Sequence, residues 1–202
     1  MSDRPDNLSA EEAISKLKEG NERFVSDSPT HPHGDSSRRQ ELVSGQRPFA
    51  TVVTCADSRL SPELIFDQGL GDVFVIRVAG NIADAPVLGS IEYAAKFLGC
   101  NLIVVMGHQA CGAVGAAVDN HDAKGPATGT HIDSLIDAIR PAVKAALESG
   151  ENDLLERSVR KNASVVADQV RSAEPIMSEL SAGPVKVVPA YYHLDGGKVE
   201  WL

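Results

Sequence analysis

Two short runs of β-branched and apolar residues each end on a reactive side chain, and this constrains the fold more than any other feature. Thr51-Val52-Val53-Thr54 leads into Cys55, and Leu102-Ile103-Val104-Val105-Met106-Gly107 leads into His108. Short apolar runs without polar alternation mark strands buried on both faces, as in parallel sheets covered by helices. Open sheets of that kind place their sites at the carboxyl ends of the strands. Cys55 is therefore expected at the same end of the sheet as His108 and Cys111.

The rest of the chain supplies the covering helices. Further strands are predicted over 73–78 and 185–192, and Asp195-Gly196-Gly197 turns the chain into a last strand over 198–202. That final pair reads as a hairpin, which makes the last strand an antiparallel edge. The uninterrupted apolar content of 73–78 predicts a central, buried position for it.

Ser9-x-x-Glu12 is a capping box opening the first helix, with Ile14, Leu17, Phe24 and Val25 along one face. Such a stripe packs either on the chain's own core or on a partner. Pro, Gly, Ser and Asp mark 26–45 as a loop, with a short helix in 37–45 and His31 and His33 on its surface. Ser61-Pro62-Glu63 reads as a hydroxyl-capped helix start, ending at Gly69 or Gly71. Helices are also expected from Pro86 to Leu98, from Gly112, over 132–147 and over 154–180. Pro141 should kink the third of these or mark its start.

The expected fold is thus α/β: a central, mostly parallel sheet of about four parallel strands plus an antiparallel C-terminal edge strand, flanked by helices. One domain spans 1–202, with an N-terminal helical arm and loop over 1–45 and the α/β core over 46–202.

Composition narrows the function classes. A net charge of -9 argues against nucleic acid as the main partner. No apolar run approaches a membrane span, and the first residues lack a basic-then-apolar signal, so a cytoplasmic protein is expected. Three cysteines make no even disulfide framework. Reduced thiols suit them better, with Cys55 and Cys111 on a metal and Cys100 a small buried residue.

Two thiolates and an imidazole are the ligand types zinc prefers. His108 and Cys111 are close enough in sequence for one turn of chain to aim both at one ion, with Cys55 arriving from the neighbouring strand. Structural zinc sites usually have four protein ligands, often in paired Cys knuckles, and no such knuckle occurs here. Three ligands leave a position for water or substrate, which points to catalysis. Thiolates donate more charge than imidazoles, so a coordinated water should ionise at higher pH than in an all-imidazole site. Arg59 presents a planar fork that suits the carboxylate of Asp57.

Cys55-Ala56-Asp57-Ser58-Arg59, followed about fifty residues on by His108-Gln109-Ala110-Cys111-Gly112, resembles the β-class carbonic anhydrases. The resemblance extends to Glu19-Gly20-Asn21-Glu22-Arg23-Phe24 and Ser90-Ile91-Glu92-Tyr93-Ala94. It implies one Zn2+ per chain on Cys55, His108 and Cys111, and reversible hydration of carbon dioxide to bicarbonate and a proton by zinc-bound hydroxide. Asp57 would orient the hydroxide and Arg59 would hold Asp57. Gln68, at a position whose side-chain amide points toward substrate across a subunit boundary in the plant-like branch, and the Gly112 amide would orient the substrate. A homodimer or homotetramer is implied, with the first helix embracing a second subunit.

One branch of the family carries a regulatory bicarbonate site of Trp, Arg and Tyr. Here those positions hold Val52, Arg77 and Tyr192, so the set is incomplete. The family's Arg-Asn-Ala-Gly-Asn turn becomes Arg77-Val78-Ala79-Gly80-Asn81. His31, His33, His121, His131 and His193 are all candidates for proton release. Two rival readings share the scaffold: a hydrolase of carbonyl sulfide or carbon disulfide, and a catalytically silent zinc protein. Retention of Asp57 and Arg59 argues against the second.

Overall fold

Strands Ala50–Thr54 (β1), Val73–Arg77 (β2), Leu102–His108 (β3), Lys186–Tyr192 (β4) and Val199–Trp201 (β5) form one sheet in the order β2-β1-β3-β4-β5. The computed structural model describes residues 4–150 and 153–202. The first four strands are parallel, and β5 runs antiparallel to β4, as the hairpin signal predicts. Every residue of β1 and β3 is buried, which is what their unbroken apolar runs require. The register sets Thr54 beside Met106 and His108 beside Tyr192, so the motif-bearing ends lie together.

β2 departs from expectation. It is a terminal strand of the sheet, Val73 to Val75 are half-buried and Arg77 is exposed. Its apolar residues serve one covered face and an open edge, a difference that composition does not encode.

Among the described residues, eight α-helices surround the sheet: Ala10–Val25 (α1), Ser36–Glu41 (α2), Pro62–Ile65 (α3), Ala85–Phe97 (α4), Gly112–Asp119 (α5), Ile132–Glu148 (α6), Leu154–Ser172 (α7) and Ile176–Ser181 (α8). Period-two alternation divides the sheet between them. Val52, Val104 and Met106 face Ala10, Ala13 and Leu17 of α1. Val53, Ile103 and Val105 face α4, α7 and α8 on the other side. α1 therefore packs on its own core. Its capping box is formed in full, but Val25, expected on the apolar face, is exposed.

Four helix signals act differently from the sequence reading. The Ser61 hydroxyl caps no backbone amide and lies 3.4 Å from the Glu63 carboxylate. That helix stops at Phe66, before either glycine, because Asp67 takes a left-handed φ of 44°. The segment 154–180 breaks into α7 and α8 at Pro175, whose ring nitrogen has no hydrogen to donate. Pro141 marks no start, since α6 runs through it as one helix.

Candidate metal centre

The Thr54 hydroxyl donates to the Met106 carbonyl at 3.0 Å, tying β1 to β3 one residue before Cys55. Past His108 the chain reverses through Ala110, held at a left-handed φ of 52°, and reaches Cys111 at the amino end of α5. Gln109 fixes that turn from its far side. Its amide donates to the Tyr192 carbonyl at 2.9 Å, and its Oε1 accepts from the Leu194 amide at 2.9 Å.

These turns bring Cys55, His108 and Cys111 together. All three are buried, their ligating atoms lie within 4.8 Å of one another, and the two Sγ atoms are 4.0 Å apart. The His108 Nδ1 is 2.9 Å from the Gln109 carbonyl, which can only accept, so the ring proton sits on Nδ1. Nε2 then carries a lone pair, and it is fully buried with no hydrogen-bond partner. Leaving such an atom unsatisfied costs about 1–3 kcal/mol. A tetrahedral zinc about 2.3 Å from each sulfur would separate the sulfurs by about 3.8 Å. Sulfur spacing, imidazole tautomer and orphaned nitrogen all fit that ion.

The electrostatics of the pair favour thiolate at Cys55 and thiol at Cys111. The Cys111 thiol, donating to the Cys55 sulfur, pulls Cys55 downward against the effect of burial, and the Gly80 amide adds to the pull. Cys111 moves up as the donor of that pair and through burial. The Gly80 amide reaches the Cys55 Sγ at 3.3 Å. Gly80 has a φ of 73°, and a Cβ there would come within 2.6 Å of Ile139. Its carbonyl accepts from the Asn162 amide at 2.8 Å.

Asp57 faces this cluster with its Oδ2 3.9 Å from the His108 Nε2. Arg59 grips both carboxylate oxygens: Nε and the backbone amide reach Oδ1 at 2.9 Å each, and Nη2 reaches Oδ2 at 2.7 Å. Those bonds hold the Asp57 carboxyl well below the usual carboxylate range. Arg77 grips the same loop by its backbone, reaching the Cys55 carbonyl at 3.2 Å and the Asp57 carbonyl at 2.6 Å. Tyr192 and Val52, its companions in the incomplete bicarbonate set, are both buried in the core cluster under α1.

Gly112 is the first residue of α5, and a Cβ there would meet nothing within 4 Å. Space is thus open on the Cβ side of the residue that follows Cys111. Gln68 is not part of the cluster: it is 7% exposed, and its Nε2 donates to the Phe66 carbonyl at 2.8 Å. Of the histidines considered for proton release, none joins the cluster. His33 pairs with Asp72 at 2.8 Å, and His193 lies 3.3 Å from Glu200. The sequence reading missed the work of Gly80, Gln109 and Arg77. Only the glycine in the turn after β2 hinted at a backbone that must approach something closely.

The carbonic anhydrase family profile matches residues 50–199. Carbonic anhydrase 2 of Mycobacterium tuberculosis is 41% identical over 182 residues, covering 90% of this chain and 87% of the relative. The carbonic anhydrase of Mycolicibacterium smegmatis is 40% identical over 184 residues, covering 91% and 89%. Among solved structures, a Coccomyxa β-carbonic anhydrase in complex with acetazolamide superposes with a TM-score of 0.74 at 26% identity, over 94% of this chain and 86% of that one. One of two tetrameric β-carbonic anhydrases from Sordaria macrospora matches the fold with a TM-score of 0.72 at 24% identity, over 95% of both chains. With that likeness spanning the strands and turns that carry Cys55, His108 and Cys111, this chain belongs to the β-carbonic anhydrase family.

Proposed function

We propose that this protein is a zinc-dependent carbonate dehydratase that interconverts carbon dioxide and bicarbonate, releasing a proton in the hydration direction. The observation that carries the reading is the buried, partnerless Nε2 of His108, set among two thiols with a clamped carboxylate 3.9 Å away. Cys55, His108 and Cys111 hold one zinc per chain. When bound, zinc acidifies a coordinated water, making hydroxide available near neutral pH.

The chain's own residues do the rest. Asp57 accepts the hydrogen of the attacking oxygen, which turns an oxygen lone pair toward the substrate carbon. Arg59 keeps both oxygens of Asp57 occupied, so the carboxylate stays off the metal. The Gly112 amide orients the substrate oxygens, joined by the second N–H of a Gln68 side chain acting across a subunit boundary. Arg77, in this reading, is a positioning residue for the loop of Cys55 and Asp57 rather than an anion ligand. Its guanidinium already serves two carbonyls.

The protein is proposed to act as a homodimer or homotetramer in the cytoplasm. Three buried, unpaired cysteines suit a reducing compartment, and no described helix is long and apolar enough to cross a membrane. The exposed rings of Tyr93 and Phe97, in a row with Phe74 of β2, suit a second copy of the chain.

Stopped-flow carbon dioxide hydration on zinc-loaded protein, from mildly acidic to alkaline buffer, tests the reading. Turnover that rises smoothly with pH is expected. A steep onset confined to alkaline buffer would mean that Asp57 leaves Arg59 and closes on the metal at lower pH. Absence of turnover throughout would overturn the assignment.

A further inference from the structure

The last turns of α1 touch three consecutive residues of one distant segment. Gly20 lies so close to the Phe66 carbonyl that a Cβ would stand 1.7 Å from its oxygen. Asn21, 6% exposed, donates through Nδ2 to the Ile65 carbonyl at 3.0 Å and the Gly197 carbonyl at 2.8 Å. Its Oδ1 accepts from the Val199 amide at 2.8 Å. The Arg23 Nε meets the Asp67 carboxylate at 2.6 Å. Asp67 also accepts from the Thr30 and His31 amides, both at 2.9 Å, which fixes its left-handed backbone.

Residues 65, 66 and 67 are thus each held by α1, and the next residue is Gln68. Its backbone amide donates to the Glu63 carbonyl at 2.8 Å. Its Nε2 donates to the Phe66 carbonyl, the same group that Gly20 lies against. A side-chain amide carries two N–H donors. Using one on Phe66 decides which end of the group is nitrogen and leaves the other N–H with a set direction.

Plain core packing does not call for this arrangement. α1 makes its apolar contacts through Ala10, Ala13 and Leu17, with Ile14 and Phe24 packed at the margin of the same cluster. Beside Phe24, its far end sets a bare glycine, a buried amide and an ion pair against the end of α3 and the two residues that follow it.

We propose that Gly20, Asn21 and Arg23 are positioning residues for substrate recognition: together they fix the Phe66 carbonyl and Asp67, and so aim the free N–H of Gln68. The proposal rests on the reading that Gln68 meets carbon dioxide or bicarbonate. It gives the Gly-Asn-x-Arg stretch of the first helix a role in catalysis, exerted wholly through another residue.

A double-mutant cycle separates this from a merely structural role. The variants are Gly20→Ala, Arg23→Gln, Gln68→Ala and the two combinations with Gln68→Ala, each checked for zinc content. Gln68→Ala is expected to lower kcat/KM about tenfold, the scale of one lost hydrogen bond to substrate. Gly20→Ala and Arg23→Gln should each lower it several-fold, and neither should lower it further once Gln68 is alanine. If Gln68→Ala leaves kcat/KM unchanged, the Gln68 reading fails and takes the proposal with it. If Gln68→Ala lowers kcat/KM but the α1 changes multiply that loss, or have no effect alone, Gln68 keeps its role and the positioning proposal is overturned. Arg23 is 33% exposed, so its variant carries the test if Gly20→Ala does not fold.

Discussion

Asp57 and Arg59 are two residues apart and belong to one turn, so their geometry is decided locally. Three N–H groups of Arg59 fix the carboxylate plane relative to the His108 ring. Releasing that grip should affect turnover while leaving the metal in place. Arg59→Gln is expected to lower kcat/KM about 10- to 100-fold, the range typical of residues that orient metal-site groups. Zinc stoichiometry should stay at one per chain, and stopped-flow kinetics beside metal analysis would check both. His108→Ala and Cys111→Ser, by contrast, should lose zinc on dialysis against a weak chelator that the unaltered protein withstands. Acid should promote the same loss, because protons compete for the sulfurs and the imidazole. At this scale much was legible beforehand. Cys55, His108, Cys111, Asp57 and Arg59 could be picked out because spacing and side-chain chemistry are written in the sequence. Gly80 and Arg77 could not be given their places, because both act on backbone or sulfur atoms of a loop that reaches them only after β2 pairs with β1.

Elements were legible where one face decided their burial. β1 and β3 announced themselves by unbroken apolar runs. The same kind of run in β2 misled, since an edge strand with a covered face looks identical in one dimension. α7 packs over β3 closely enough that a Cβ on Gly107 would come within 2.8 Å of the Val159 side chain. Gly107→Ala should therefore destabilise the fold by about 1–3 kcal/mol, measured by urea unfolding, because neither the helix nor the strand has room to move. A second tie joins α7 to β5. Arg160 meets both oxygens of Glu200 at 2.8 and 2.9 Å and drops its carboxyl from 4.5 to about 2, against burial and with help from His193. A carboxyl depressed in the folded state adds stability that is full above its unfolded value and disappears as pH falls through the folded one. Glu200→Gln should lower stability at neutral pH. It should also flatten the decline that the unaltered protein shows between about pH 5 and 2. The effect will be small, since Glu200 is partly open to solvent.

At the scale of the whole molecule, one side is finished differently from the rest. Among the described residues β2 pairs only with β1, and its Phe74 starts a row of tilted ring contacts that runs through Tyr93 to Phe97. Tyr93 is 46% and Phe97 59% exposed, an unusual setting for aromatic rings in a chain that carries so few. Burying this flank against a second copy accounts for it. Phe97→Lys is then expected to shift sedimentation toward the single chain while zinc content holds, whereas an unchanged coefficient would place the contact elsewhere. Asn21 adds a constraint of another kind. Its partners Gly197 and Val199 stand 176 and 178 residues further along the chain. During synthesis the ribosome needs on the order of ten to forty seconds to cover that distance. The first helix is therefore made well before the residues that satisfy its buried amide. Until then the nascent protein presents a helix whose polar anchor is open, which is the state a chaperone would meet.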